Sequence, residues 1–236
     1  MSFIIPVYNE ERRIAKTIRE IAAFESKYQD AYEWIFVDDG SNDETGRLAQ
    51  KEVGTMKVRW IRLEHNEGKG RAVQKGMLEA KGDFLFFVDA DLSTPLSEYE
   101  SLLCALKDGY DVAIGSRGLS GSQVLVHQNW IRETMGKIFN RIARLLTFKG
   151  IYDSQCGFKG FRREAAQRLF NLQRVRGFSF DAEIIYLAQK LGYRIRELPV
   201  TWVNSKDSKV NIVKDSIRMF VDLFRIRWYH RNLRKS

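Results

Sequence analysis

Phe84-Leu85-Phe86-Phe87-Val88-Asp89-Ala90-Asp91 is the stretch that decides the fold. Five apolar, β-prone residues in a row read as a strand buried on both faces. The run stops at two carboxylates spaced i, i+2. The carboxyl edge of an open α/β sheet is where such folds bind ligands. Two acids side by side at that edge repel each other and resist burial unless a cation neutralises them. An all-oxygen pair suits a hard divalent ion, Mg²⁺ or Mn²⁺, which keeps waters and takes further oxygens from substrate phosphates. The plainer alternative is two acids that cap the next helix or face water.

Outward from this strand the pattern alternates. Strands are expected at Ser2–Val7, Glu33–Val37, Lys57–Leu63, Asp83–Val88 and Asp111–Gly115, with helices between them at 14–22, 43–53, 70–80 and 96–106. A βαβαβ order implies a largely parallel sheet covered on both faces. After Ser116 the pattern changes to a Gly/Ser loop over 118–127 and a helix over 129–148 carrying Ile131, Met135, Ile138, Ile142, Leu145 and Leu146. Next come a short strand over 157–161, a helix over 181–191, an extended 194–201 and a polar loop over 204–211. The last helix carries Val213, Ile217, Phe220, Val221, Phe224 and Trp228 at helical spacing.

Composition bounds the function. The 236 residues are enough for one sizeable α/β domain. A mean hydropathy of −0.36 argues against an integral membrane protein. No window approaches the roughly 18 apolar residues that span a bilayer, and no signal peptide is expected. Two cysteines, Cys104 and Cys156, form neither a disulfide framework nor a metal spacing, which fits a reducing cytoplasm. Cys156 reads as a small core residue. The net charge of +9 points to an anionic partner. Over 212–236 seven basic residues face Asp215 and Asp222, a net +5.

Two other strand ends carry chemistry. Val37-Asp38-Asp39-Gly40-Ser41 offers acids that can accept from a nucleotide's N–H and O–H groups, beside an Asp43 that caps the next helix. Asn66-Glu67-Gly68-Lys69-Gly70 is a Gly-rich turn opening a helix, where Lys69 and the helix dipole can face an anion. The first strand ends in Pro6-Val7-Tyr8-Asn9-Glu10, without the Gly-x-Gly-x-x-Gly of a dinucleotide site.

Taken in order with Asp89-Ala90-Asp91 and Gly115-Ser116-Arg117, these motifs resemble family-2 glycosyltransferases of the GT-A fold, across residues 1–117 without a gap. Asp153-Ser154-Gln155-Cys156-Gly157-Phe158-Lys159 and Gly177-Phe178-Ser179-Phe180-Asp181-Ala182-Glu183 resemble the branch that glycosylates polyprenyl phosphates. Within it the match is to the dolichyl-phosphate β-glucosyltransferases, with the mannosyl enzymes next. The resemblance implies an α/β, Rossmann-like nucleotide-diphospho-sugar transferase over 1–211, followed by a basic amphipathic helix over 212–236.

The resemblance also implies roles. Pro6, Tyr8, Glu10 and Asp39, with Asp38 and Lys69 beside them, would bind the nucleotide sugar. Asp89 would lie against the sugar and Asp91 would hold Mg²⁺ or Mn²⁺, with Asp89 as the second ligand. Ser93 stands where some relatives place a Gln ligand. Arg117 and Arg132 would grip the acceptor phosphate. Ser205, Lys206 and Lys209 occupy the loop that covers the sugar diphosphate in relatives, the lysines toward the donor and Ser205 toward the acceptor. Relatives with hydroxyl acceptors use an Asp as base where Asp181 stands. A phosphate monoester is already mostly dianionic at neutral pH, so Asp181 is expected to position rather than to take a proton.

The expected activity is inverting, metal-dependent hexosyl transfer, glucose from UDP-glucose, to a polyprenyl phosphate. GDP-mannose as donor and a glycan or protein hydroxyl as acceptor are the alternatives within enzymes. A non-catalytic basic protein that binds nucleic acid or lipid is the alternative outside them. For the enzyme, no nucleic acid is expected, and the basic terminal helix would contact an anionic membrane surface from the cytoplasmic side without a transmembrane segment, whereas the stripe of helix 129–148 is expected to pack on the core, with membrane contact as its alternative. Oligomeric state is open.

Overall fold

A computed structural model of the chain describes residues 1–28, 31–54, 56–126, 130–204 and 212–233. The strands are β1 (Ser2–Val7), β2 (Glu33–Asp38), β3 (Val58–Arg62), β4 (Phe84–Val88), β5 (Val112–Ser116), β6 (Gln123–Val126), β7 (Phe158–Arg162), β8 (Ile195–Pro199) and β9 (Thr201–Val203). The helices are α1 (Ile14–Lys27), α2 (Thr45–Val53), α3 (Lys69–Glu79), α4 (Tyr99–Lys107), α5 (Trp130–Leu146), α6 (Arg163–Leu172), α7 (Phe180–Leu191) and α8 (Ile212–Tyr229). A 3₁₀ turn, Leu96–Glu98, leads into α4.

Seven strands form one sheet in the order β3-β2-β1-β4-β7-β5-β8. Every pairing is parallel except those of β7, which runs antiparallel between β4 and β5. β6 and β9 pair in parallel as a small second sheet. The stretch 118–127, expected as a loop, therefore contains a strand. Its residues are mostly exposed, so it shows no burial pattern, and only pairing with the distant β9 makes it a strand.

Side chains alternate across each strand, and the sheet has a core on either face. Ile4, Ile35, Val37, Leu85 and Phe87 enter the core shared with α3, α6 and α7. Phe3, Ile5, Trp34, Phe36, Phe86 and Val88 enter the core shared with α1 and α4. The same parity decides which side each acid at a strand end takes. Asp39 continues the side of Ile35 and Val37, and Asp89 continues that of Leu85 and Phe87. Asp38 continues that of Trp34 and Phe36.

The terminal helix belongs to this body. Leu223 and Ile226 are buried in the α3/α6/α7 core. His230 Nε2 lies 2.6 Å from the fully buried Glu183 of α7, and Lys190 Nζ donates to the His230 carbonyl at 2.5 Å. Glu183 also accepts the Val175 amide at 2.8 Å. Arg227 caps the end of α5 through the Leu146 carbonyl, 2.9 Å. The apolar stripe of Ile217, Phe220, Val221, Phe224 and Trp228 is left facing outward, as are Ile138 and Leu145 of α5. Among the described residues no helix is long and apolar enough to cross a membrane.

Candidate active site

A cavity of about 410 Å³ opens at the carboxyl ends of β1, β2 and β4. Pro6, Tyr8, Glu10, Asp39, Lys69, Asp89 and Asp91, all singled out in the sequence, line it together. Gly177 and Phe178 also line it, as do Asp215, Arg218, Met219 and Asp222, one stripe of α8 that forms part of its wall.

Asp39 holds the wall in shape. Its two oxygens accept the amides of Glu67 (2.8 Å) and Gly68 (2.9 Å), which ties the end of β2 to the turn before α3. Two amides of that turn are thus given to Asp39, and Lys69 remains a cationic group at the start of α3. A carboxylate has about four acceptor positions, so Asp39 keeps capacity for a ligand. Burial pushes its pKa up, against those two amides and with the help of Glu67 and Asp38. Gly68 has φ +104°, and a Cβ there would sit 2.5 Å from the Arg176 carbonyl oxygen. Only glycine lets α3 start against that backbone.

Asp38 does not line the cavity. It is fully buried on the opposite strand parity and accepts the Ser41 amide at 2.8 Å. Glu10 is engaged by the side chain of Arg13, and its amide donates to Thr45 Oγ1 at 2.6 Å.

Asp89 is held from both sides. Its amide donates to the Gly157 carbonyl at 3.0 Å, and its Oδ1 lies 2.6 Å from Lys69 Nζ. A Cβ on Gly157 would overlap Asp89 Oδ2 and Cγ and come within 3.0 Å of its Cβ. Gly157→Ala is therefore expected to displace Asp89 and cut any activity of this site at least about a hundredfold, since misplacement by about 1 Å costs that much. Activity assays beside a thermal melt check this, with the fold largely retained.

Asp91 accepts the Ser93 amide at 3.0 Å. Burial and then the nearby Asp89 push its pKa up. The lining as a whole sets six carboxylates (Glu10, Asp39, Asp89, Asp91, Asp215, Asp222) against three cations (Arg13, Lys69, Arg218). A phosphate ligand would enter such a cavity only with added positive charge. Among the described residues no three or more His, Cys, Asp or Glu side chains are grouped to cage an ion. Asp89 and Asp91 thus fit a hard divalent cation that takes its remaining ligands from water and substrate.

Behind the cavity lies a buried ion pair. Lys159 Nζ donates to Asp181 Oδ1 at 2.5 Å and to the Cys156 carbonyl at 2.6 Å, and both side chains are almost inaccessible. Burial pushes the Asp181 pKa up, with Lys159 opposing. Lys69 and Lys159 both lie over the Phe87 ring, at 5.1 and 5.7 Å.

Arg117 does not line the main cavity, although it lies within electrostatic reach of Asp89. Its Nε and Nη2 donate to the two oxygens of Asp153 at 2.6 and 2.9 Å, and its guanidinium covers Trp202. Burial alone would raise Asp153; Arg117 overrides this and holds it at about 2. The guanidinium fork is thus engaged by a partner that stays charged. Cys156 is fully buried, and burial followed by Asp153 pushes its thiol up to about 11, which makes it a packing residue rather than a nucleophile. Ser205, Lys206 and Lys209 lie outside the described residues, as does the side chain of Arg132.

Sequence reasoning missed Lys159 and the wall from α8. Lys159 had a signal: it stands two residues before Phe161, on the same face of a short apolar strand, so it points inward and needs a buried partner.

A mostly parallel sheet whose strand ends gather these acids around one cavity has the GT-A architecture, and the glycosyl transferase family 2 domain matches residues 2–170. The chain belongs to that family, which sets aside the non-catalytic reading. It is 35% identical over 241 residues to a dolichyl-phosphate beta-glucosyltransferase of Dictyostelium discoideum, covering 97% of this chain and 74% of the relative. It is 38% identical over 242 residues to the Drosophila melanogaster protein of that name, covering 96% and 74%. The fold matches a Mycobacterium tuberculosis glucosyl-3-phosphoglycerate synthase, solved with Mn²⁺, UDP-glucose and glycerol 3-phosphate, at TM-score 0.69 and 18% identity over 96% of this chain and 79% of that one.

Proposed function

We propose that the protein transfers glucose from UDP-glucose to a dolichyl-type polyprenyl phosphate at a membrane surface, with inversion at the anomeric carbon. The observation that carries this reading is the state of Asp181. The carboxylate that a hydroxyl acceptor would need as base is buried and bonded to Lys159. A phosphate acceptor needs no base, because its second pKa is near 6. The names of the relatives agree with a glucosyl donor and a dolichyl phosphate acceptor.

The residues divide the work. Asp91 and Asp89 would hold Mg²⁺ or Mn²⁺ beneath the donor diphosphate. When bound, that cation supplies Lewis-acid stabilisation of charge on the leaving diphosphate. Pro6, Tyr8 and Asp39 line the part of the cavity suited to the nucleoside, and Lys69 adds a positive charge beside Asp89. Gly157 leaves room for Asp89 to stand against the sugar. Lys159 bonds Asp181 and holds it in place. Attack by a phosphate oxygen opposite the leaving group turns an α-linked donor into a β-linked product.

The exposed stripe of α8, flanked by the exposed Arg225 and Arg227, would lie on the headgroup region where the acceptor is found. Each basic residue near an anionic surface adds about 1 kcal/mol.

The test is transfer from UDP-glucose with Mn²⁺ to a short-chain isoprenyl phosphate and to the matching free alcohol. Product from the phosphate alone is expected. Product from the alcohol would favour a hydroxyl acceptor and a true base, and a strict need for GDP-mannose would favour the mannosyl reading.

A further inference from the structure

We propose that Arg218 of α8 receives the phosphate of the lipid acceptor. This rests on the function proposed above and adds a residue to it. The cations around the site are otherwise committed among the described residues. Arg13 is held by Glu10, Lys69 by Asp89, and Arg117 by both oxygens of Asp153. Arg218 lines the cavity, is exposed, and has no hydrogen bond or ion pair among the described residues. Asp222, one turn further on, attracts it, but its Oδ1 is taken by Arg225 at 3.2 Å. The guanidinium is therefore available to a ligand, and its planar fork suits a phosphate.

The helix that carries Arg218 says which phosphate. Asp215, Arg218, Met219 and Asp222 face the cavity, while Ile217, Phe220, Val221 and Phe224 face outward. A diffusible sugar nucleotide has no use for that apolar face. An isoprenyl phosphate has both chemistries in one molecule, an apolar chain ending in a dianion. Laid along the stripe, its chain meets Ile217 and Val221, and its head reaches Arg218 at the rim of the donor cavity. The Asp89–Asp91 pair proposed to seat the donor's cation lines the same cavity.

The test uses the full chain and a short-chain isoprenyl phosphate in detergent, which removes any contribution from membrane binding. Arg218→Gln should raise the acceptor KM at least about tenfold, the loss expected for one charge-assisted phosphate contact. The affinity for UDP with Mn²⁺, read by calorimetry, should stay within about twofold. Arg218→Lys should recover much of the acceptor KM by keeping the charge. An unchanged acceptor KM in Arg218→Gln overturns the role. Weaker UDP binding with the acceptor KM unchanged also overturns it, by moving the contact to the donor. Wild-type protein that transfers nothing to the isoprenyl phosphate overturns this role together with the function it rests on.

Discussion

Asp91→Asn is expected to lower transfer from UDP-glucose by at least about a thousandfold, roughly 4 kcal/mol of transition-state stabilisation. The substitution keeps the shape and the Ser93 amide contact but removes one of the two charges that would hold the cation. Stability should move the other way. In the free protein the Asp91 carboxylate is disfavoured by burial and by Asp89, so its folded-state pKa lies above the ordinary value. That cost is present above the folded pKa and fades as pH falls through it. An uncharged Asn removes the cost, so the thermal midpoint near pH 7 should equal or exceed that of the wild type. Turnover and melting measured on one preparation check both signs. A variant that loses activity and stability together would place Asp91 among structural residues.

The second large effect concerns the core. Lys159→Met is expected to destabilise the fold by about 3–5 kcal/mol, because it leaves the Asp181 carboxylate buried without its ammonium partner. At roughly 2–4 °C per kcal/mol the midpoint should fall by about 10 °C. The pH dependence identifies the cause. Asp181 already has a raised pKa from burial, and losing Lys159 raises it further. The ionised form is the costly one, so the deficit should be largest near pH 8 and shrink as pH falls and Asp181 takes a proton. Lys159→Met with Asp181→Asn removes both charges and should recover most of the loss. A deficit that is independent of pH, or persists in the double variant, would point to packing around Phe87 rather than to the ion pair.

Much of the site was legible because it lies at the ends of unbroken apolar strands. Ser2–Val7 and Phe84–Val88 announce their own boundaries, and the residues just beyond them line the cavity. What a local reading could not resolve is side-chain parity at a strand's last residue. Asp38 and Asp39 are equivalent in sequence, yet only Asp39 lines the cavity, because their neighbours alternate between two cores. Non-local partners were hidden for a similar reason. Nothing near Arg117 shows that Asp153, on a segment beyond α5, engages its guanidinium. The helix α6 escaped notice because it follows β7 with no turn residue between them. The terminal helix was read for its outward stripe, whereas Leu223, Ile226 and His230 anchor it and Arg218 faces the cavity.

The central claim is that the acids closing β4 seat a divalent cation under the donor's diphosphate. Calorimetric titration of UDP-glucose into the purified protein, with Mn²⁺ and again with chelator, tests it most directly. Binding at least about tenfold tighter with Mn²⁺ is predicted, since two carboxylates otherwise face the phosphates at short range. Equal affinity in chelator would contradict it.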